Sequence, residues 1–290
     1  MAYADNPLTG TWYNSFCSRV DLTVDQNGII GGKYTSHTGS TGTSLVIGQV
    51  NPALQPQPGV PTNPSGIPFS MGIQWRLINV PASSADGSWH WVSTFSGQYH
   101  QKQTVSAGGQ QSCVLEETLV LLNGLIATAT LPPLADTAPL MWPQTLEFHR
   151  TAPSYCEPVT PGKAVPYTAT AKDNLSGTWR SGDGGVLELV AVLEIGVVAG
   201  KFTDRDGNQY EVGGLFDTIA PGGSQGVAAQ GVTLALYDGS KNLLKAAAGG
   251  VDYSDLSQMW LWTSDLQSTT WTDRFIQETL DKTIFQKSSE

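Results

Sequence analysis

Hydrophobic and polar positions alternate with a period of two along most of this chain, in runs of five to eight residues separated by turn-forming residues. No stretch sustains a helical period, so the pattern predicts strands throughout. The first unit is the clearest: predicted strands at 11–14, 21–24 and 29–35, with Asn27-Gly28 between the last two, a pair that suits a two-residue hairpin turn because both residues tolerate positive φ. Alternation sets Tyr34, Ser36 and Thr38 on one side of their strand. A concave side there would carry a row of hydroxyls; a solvated outer face is the plainer alternative. Abundant glycine and few charged residues agree with an all-β barrel or sandwich.

The pattern also repeats. Leu175-Ser176-Gly177-Thr178-Trp179 echoes Leu8-Thr9-Gly10-Thr11-Trp12, and Ala199-Gly200-Lys201-Phe202-Thr203 echoes Gly31-Gly32-Lys33-Tyr34-Thr35. That is an internal duplication over most of each half. A chain of 290 residues suits two such domains, at 1–150 and 174–290, and the intervening 151–173, with four prolines and no periodicity, reads as a linker.

Three segments resemble the avidin and streptavidin family: Thr9-Gly10-Thr11-Trp12-Tyr13-Asn14, Gly32-Lys33-Tyr34-Thr35-Ser36 with Gly39-Ser40, and Ser96-Gly97-Gln98-Tyr99. The resemblance implies two tandem eight-stranded antiparallel up-and-down β-barrels. It also implies a biotin-type pocket in the first: the matches to Asn14, Ser18 and Tyr34 donate to the ureido oxygen, the match to Ser36 accepts a ureido N–H, and Thr38, Gly39 and Ser40 fall on the loop closing over the ligand's tail. Trp75 resembles the family's first pocket tryptophan. Trp142, and Trp271 in the second copy, resemble the tryptophan that each subunit lends to a neighbouring pocket.

The departures bear on affinity. Phe95 stands where the family has a pocket tryptophan, Trp91 where it has a serine near the ligand's carboxylate end, and Ser93 between them is counted with the site. Leu119 stands where the third pocket tryptophan is expected. The last strand, expected at 145–150, reads as shortened and lacks the aspartate that accepts the second ureido N–H. A buried N–H without an acceptor costs about 1–3 kcal/mol, and trimmed aromatic walls cost more. Biotin binding several decades weaker than in the best family members is therefore expected. Glu117, two residues before Leu119 on a strand expected at 115–122, shares its facing and is expected to point into the barrel, as a replacement acceptor or as an acid or base with a raised pKa; a register shift of one would turn it outward.

In the second copy Ser181 replaces Asn14, Gly185 replaces Ser18, Phe202 replaces Tyr34 and Asp204 replaces Ser36. This barrel is expected to be structural, with Trp260 resembling the third pocket tryptophan and Asp281 a loose match to the ureido acceptor. Two chains together would form a four-barrel homodimer, as the family's habit suggests.

Other chemistry is thin. Cys17, Cys113 and Cys156, odd in number and without metal spacing, read as free thiols. The four histidines show no paired ligand spacing, and neither a phosphate-binding loop nor a nucleophile elbow is present, so no metal or cofactor is expected. A net charge of −10 argues against nucleic-acid binding. No run approaches a membrane span, and the start Met-Ala-Tyr-Ala-Asp does not read as a signal peptide, which makes an intracellular location the default; export, common among avidin-like proteins, stays open. The expectation is a non-enzymatic binder of biotin or another compact polar or aromatic ligand. The alternatives are an enzyme on the same barrel, a cyclase or isomerase using Glu117, and a glycan-binding protein.

Overall fold

A computed structural model describes residues 6–37, 42–51, 66–105, 113–129, 140–157, 161–166, 168–222, 226–267 and 279–288. Its strands form two closed, eight-stranded antiparallel barrels in tandem. The first contains β1 (Gly10–Asn14), β2 (Arg19–Val24), β3 (Ile29–Ser36), β4 (Gly42–Val50), β5 (Ile67–Gln74), β6 (Val92–His100), β9 (Thr118–Ala127) and β10 (Leu140–His149). A two-stranded ribbon, β7 (Gln103–Val105) with β8 (Cys113–Leu115), interrupts it between β6 and β9. The second barrel contains β11 (Gly177–Ser181), β12 (Val186–Val192), β13 (Val197–Thr203), β14 (Gln209–Phe216), β15 (Ala229–Asp238), β16 (Leu243–Asp252), β17 (Gln258–Leu266) and β18 (Leu280–Lys287).

The first hairpin shows how local sequence sets geometry. Its connection spans four residues rather than two: Gly28 alone takes a positive φ, 81°, and the Asp25 carboxylate accepts from the amides of Asn27 and Ile29. An Asx turn followed by a left-handed glycine replaces the expected two-residue turn. From there alternation sends Ile30, Tyr34 and Ser36 inward.

Each barrel has its own core. Trp12, Phe69, Phe95 and Phe148 pack at the centre of the first, and Trp179, Phe216, Leu234 and Phe285 in the second. In both, the tryptophan of the repeated Leu-x-Gly-Thr-Trp segment donates its indole N–H to the leucine carbonyl four residues earlier, Trp12 to Leu8 and Trp179 to Leu175.

The barrels pack like on like: β4, β5 and β6 lie against β14, β15 and β16. This explains why β5 and β6 are buried at every position, since one face fills the barrel and the other meets the second barrel. The backbones come close, and a side chain at Gly72 would strike Thr233. Val92 and Ile126 form an apolar cluster with Ala229, Ala248 and Trp260. Trp260 therefore faces the interface and not a pocket, because inward positions on β17 are the odd ones, Met259, Leu261, Thr263 and Asp265.

Two polar contacts flank this interface. At one end His90 Nδ1 lies 2.6 Å from Asp217 Oδ2, both side chains buried. Burial pushes the Asp217 carboxyl up, opposed by its hydrogen bond to His90. At the other end Asn51 Nδ2 donates to the Asn242 carbonyl at 3.0 Å, and the Tyr237 hydroxyl reaches Asn51 Oδ1 at 3.5 Å.

Two expectations are corrected. Cys17 and Cys156 form a disulfide, leaving Cys113 as the free and exposed thiol; their separation of 139 residues hides the pairing from any spacing argument. The segment read as a linker is also tied down: besides Cys156, Tyr155 donates its hydroxyl to the Ser15 carbonyl, Gly162 N–H reaches Thr43 Oγ1, and Val165 N–H reaches the Ile78 carbonyl.

Candidate functional site

The first barrel has a cavity of about 250 Å³ at the end where β1 and β3 finish. β1 and β3 bring Asn14, Tyr34 and Ser36 to it, the start of β6 brings Phe95, Trp75 and Trp91 come from the flanking turns, and Phe16 lies beside Asn14. The second half of β9 adds Asn123 and Leu125, and the middle of β10 adds Gln144 and Leu146. Among the described residues, none that lines it is charged.

The hydrogen bonds assign each group a direction. Asn14 Oδ1 accepts from the amides of Phe16 (3.0 Å) and Ser18 (2.9 Å), which turns its amide nitrogen toward the Tyr34 hydroxyl, 3.4 Å away. Burial pushes the Tyr34 phenol up, against hydrogen bonds from Ser18 and Asn14. The phenol therefore stays protonated at neutral pH, and with those two groups donating to its oxygen its own hydrogen is left to donate to a ligand. Trp75 packs edge-on to Tyr34 at 5.4 Å and donates its indole N–H to Ser93 Oγ at 2.9 Å, while Phe95 stacks on Tyr34 at 6.1 Å. Trp91 donates to the Ala129 carbonyl at 3.0 Å. These bonds lock the aromatic walls.

Asn123 supplies the opposite polarity. Its Oδ1 is buried and has no hydrogen-bond partner among the described residues. An orphaned buried carbonyl costs about 1–3 kcal/mol, and a turn of the carboxamide would present it to a ligand N–H or O–H in the cavity.

The structure thus gathers Asn14, Tyr34, Ser36, Trp75, Trp91 and Phe95 around one space, with Ser18 and Ser93 immediately behind as partners of Tyr34 and Trp75. It does not gather Leu119 or Glu117. Leu119 is buried in the core at the other end of the barrel, paired across the sheet with Tyr99 and Phe148. Inward positions along β9 run Leu119, Leu121, Asn123, Leu125, so the cavity meets the strand four residues later than expected. Glu117 lies just before β9 at that far end, accepting from Arg150 Nε at 2.6 Å and from the Tyr99 hydroxyl at 3.0 Å. Arg150 stacks over Trp12 at 3.6 Å. Glu117 therefore closes the barrel floor.

The last strand is not shortened. β10 runs ten residues, and Gln144, whose carboxamide both donates and accepts, faces the cavity from the strand where an aspartate was missed. Thr38, Gly39, Ser40 and Trp271 lie outside the described residues, as does the side chain of Trp142. Sequence reasoning overlooked Phe16, Asn123, Leu125, Gln144 and Leu146. The available signal was Asn123, a single amide inside the apolar run Leu119-Val120-Leu121-Leu122-Asn123-Gly124-Leu125-Ile126.

The second barrel is not filled. It opens a cavity of about 300 Å³ at the matching end, where Ser181, Gly185, Phe202 and Asp204 hold the places that Asn14, Ser18, Tyr34 and Ser36 hold in the first copy.

Two closed barrels, each with a cavity at one end, make this a barrel-type protein suited to holding small ligands. No protein-family model matches the chain, and no curated protein matches it.

Proposed function

We propose that the first barrel is a non-enzymatic small-molecule binder whose ligand is compact, largely apolar and carries a polar head of adjacent acceptor and donor atoms, biotin in a weakened form being the first candidate. The observation that carries this reading is a cavity without charged side chains among the described residues, in which Tyr34 and Asn14 donate while the Asn123 carboxamide has an unpartnered Oδ1. A cyclic urea or amide presents that pair of groups. The aromatic walls of Trp75, Trp91 and Phe95 supply apolar contact around it. The resemblance to avidin in the strands bearing Asn14 and Tyr34 supports the same reading.

An enzymatic reading of this barrel rested on Glu117 as the acid or base. With that carboxylate held by Arg150 at the opposite end, the group is out of reach of a ligand in the cavity.

The test is isothermal titration calorimetry with biotin. One equivalent per chain binding at micromolar affinity, weakened at least tenfold in Asn14→Ala/Tyr34→Phe (about 1.4 kcal/mol), is expected. No heat and no thermal stabilisation by biotin would retire that ligand, and binding unchanged in the double variant would remove this cavity from the reading.

A further inference from the structure

We infer that the second barrel is a separate binding site for a small organic cation, a primary ammonium or guanidinium carried on an apolar body. The cavity lies inside the barrel, at the position that the duplication relates to the first cavity. Its floor is apolar, formed by Leu187, Phe202, Leu236 and Phe285. Phe202 meets Phe285 edge-on at 6.3 Å, leaving aromatic surface toward the space.

The mouth has the opposite character to the first cavity. Five aspartates, Asp183, Asp204, Asp206, Asp265 and Asp281, line it against two cations, Lys245 and Arg205. Both cations have carboxylate partners: Lys245 pairs with Asp265 and sits 5.5 Å from the Tyr210 ring, and Arg205 lies 3.8 Å from Asp206. Among the described residues, Asp183, Asp204 and Asp281 make no salt bridge, although Arg205 and Lys245 act on Asp183 and Asp204 from a distance. A hydrogen bond from Ser181 holds the Asp183 carboxyl below its usual range. Burial alone would raise Asp204, but hydrogen bonds from Asn208 and Asp206 outweigh it and hold this group low as well. Among the described residues no three acidic, His or Cys side chains converge as metal ligands. Carboxylates spaced around an apolar well suit a diffuse organic cation better than a bare metal ion.

The discriminating series is phenethylammonium, its neutral isostere 2-phenylethanol and the anion phenylacetate, titrated into the full chain at low and high salt by calorimetry. Saturable binding of one phenethylammonium per chain is expected, weakened by salt, with 2-phenylethanol weaker and phenylacetate silent. Asp281 sits on β18 and, among the described residues, its carboxylate is engaged only by the neighbouring Lys282 amide. Asp281→Lys should therefore lower affinity about fivefold or more, while Asn14→Ala/Tyr34→Phe in the other cavity should leave it unchanged. If Asp281→Lys does not fold, by circular dichroism, Asp281→Asn replaces it with a smaller loss expected. Absence of saturable binding to folded protein, equal affinity for 2-phenylethanol, or indifference to the Asp281 variant that folds would each overturn the inference.

Discussion

Removing the Cys17–Cys156 disulfide tests the link between stability and the first cavity. The bond closes a loop of 139 residues around the whole first barrel. In the chain-entropy account, releasing such a loop in the unfolded state costs about 5 kcal/mol at 25 °C, an upper value because denatured chains keep residual structure. A loss of about 2–4 kcal/mol is the working expectation for Cys17→Ser/Cys156→Ser. A second effect should be local. Cys17 is held at a φ of 62°, in the left-handed region, where a residue with a Cβ is strained by about 1–2 kcal/mol. It sits in the four-residue loop between β1 and β2 whose backbone amides at Phe16 and Ser18 orient Asn14. Without the bond the loop is free to relax, and Asn14 loses the constraint that turns its amide toward Tyr34. The assays are guanidinium unfolding of both proteins with and without reductant, and ligand titration of each cavity. The double variant should unfold at lower denaturant, match the reduced parent, and bind first-cavity ligand more weakly while the second cavity is unaffected. An unchanged midpoint without reductant would refute the entropic argument. Unchanged first-cavity affinity would refute the link to Asn14.

Three further outcomes are expected. Asn123→Leu, which removes the orphaned carbonyl, should stabilise the unliganded chain by about 1 kcal/mol in chemical denaturation while weakening any first-cavity ligand that donates a hydrogen bond; a loss of stability would show that the carbonyl is satisfied. His90→Phe strips the buried Asp217 carboxyl group of a hydrogen-bond partner and should cost about 1–3 kcal/mol, most of it recovered in His90→Phe/Asp217→Leu, whereas additive losses would show that the two residues are not coupled. Asp183 and Asp204, held below their ordinary value of 3.8, contribute stability that is present above that value and lost as pH falls through their folded values, so Asp183→Asn/Asp204→Asn should flatten the acid side of the stability curve below about pH 4; parallel curves would remove the assignment.

What could be read from the sequence was what is local. Alternation settled which side chains of β3 share a face, and the repeated Leu-x-Gly-Thr-Trp segments located the start of each barrel, because both depend on residues within a few positions of each other. Axial position along a barrel is different. Whether Leu119 or Asn123 meets the cavity depends on how β9 registers against β6 and β10, and a shift of four residues preserves the facing while moving the side chain far along the strand. The same gap explains Glu117, placed on the correct side at the wrong end, and the Cys17–Cys156 bond, whose partners meet only after the whole first barrel has closed. Trp260 failed for a related reason: a large apolar residue on a strand buried on both faces carries no sign of which interior it joins.

Asp217 follows the fourth strand of its barrel just as Asn51 follows the fourth strand of the other, and His90 and Asn242 both precede a sixth strand. The imidazole–carboxyl contact and the amide contact at the two ends of the interface thus occupy equivalent positions of the duplicated fold. In a pair of identical chains both versions would have to change together. Fused in one chain the two versions have been free to diverge: one end holds an imidazole against a buried carboxyl group, the other a carboxamide against a backbone carbonyl. Fusion of the halves also delivers two cavities of different chemistry in a fixed one-to-one ratio.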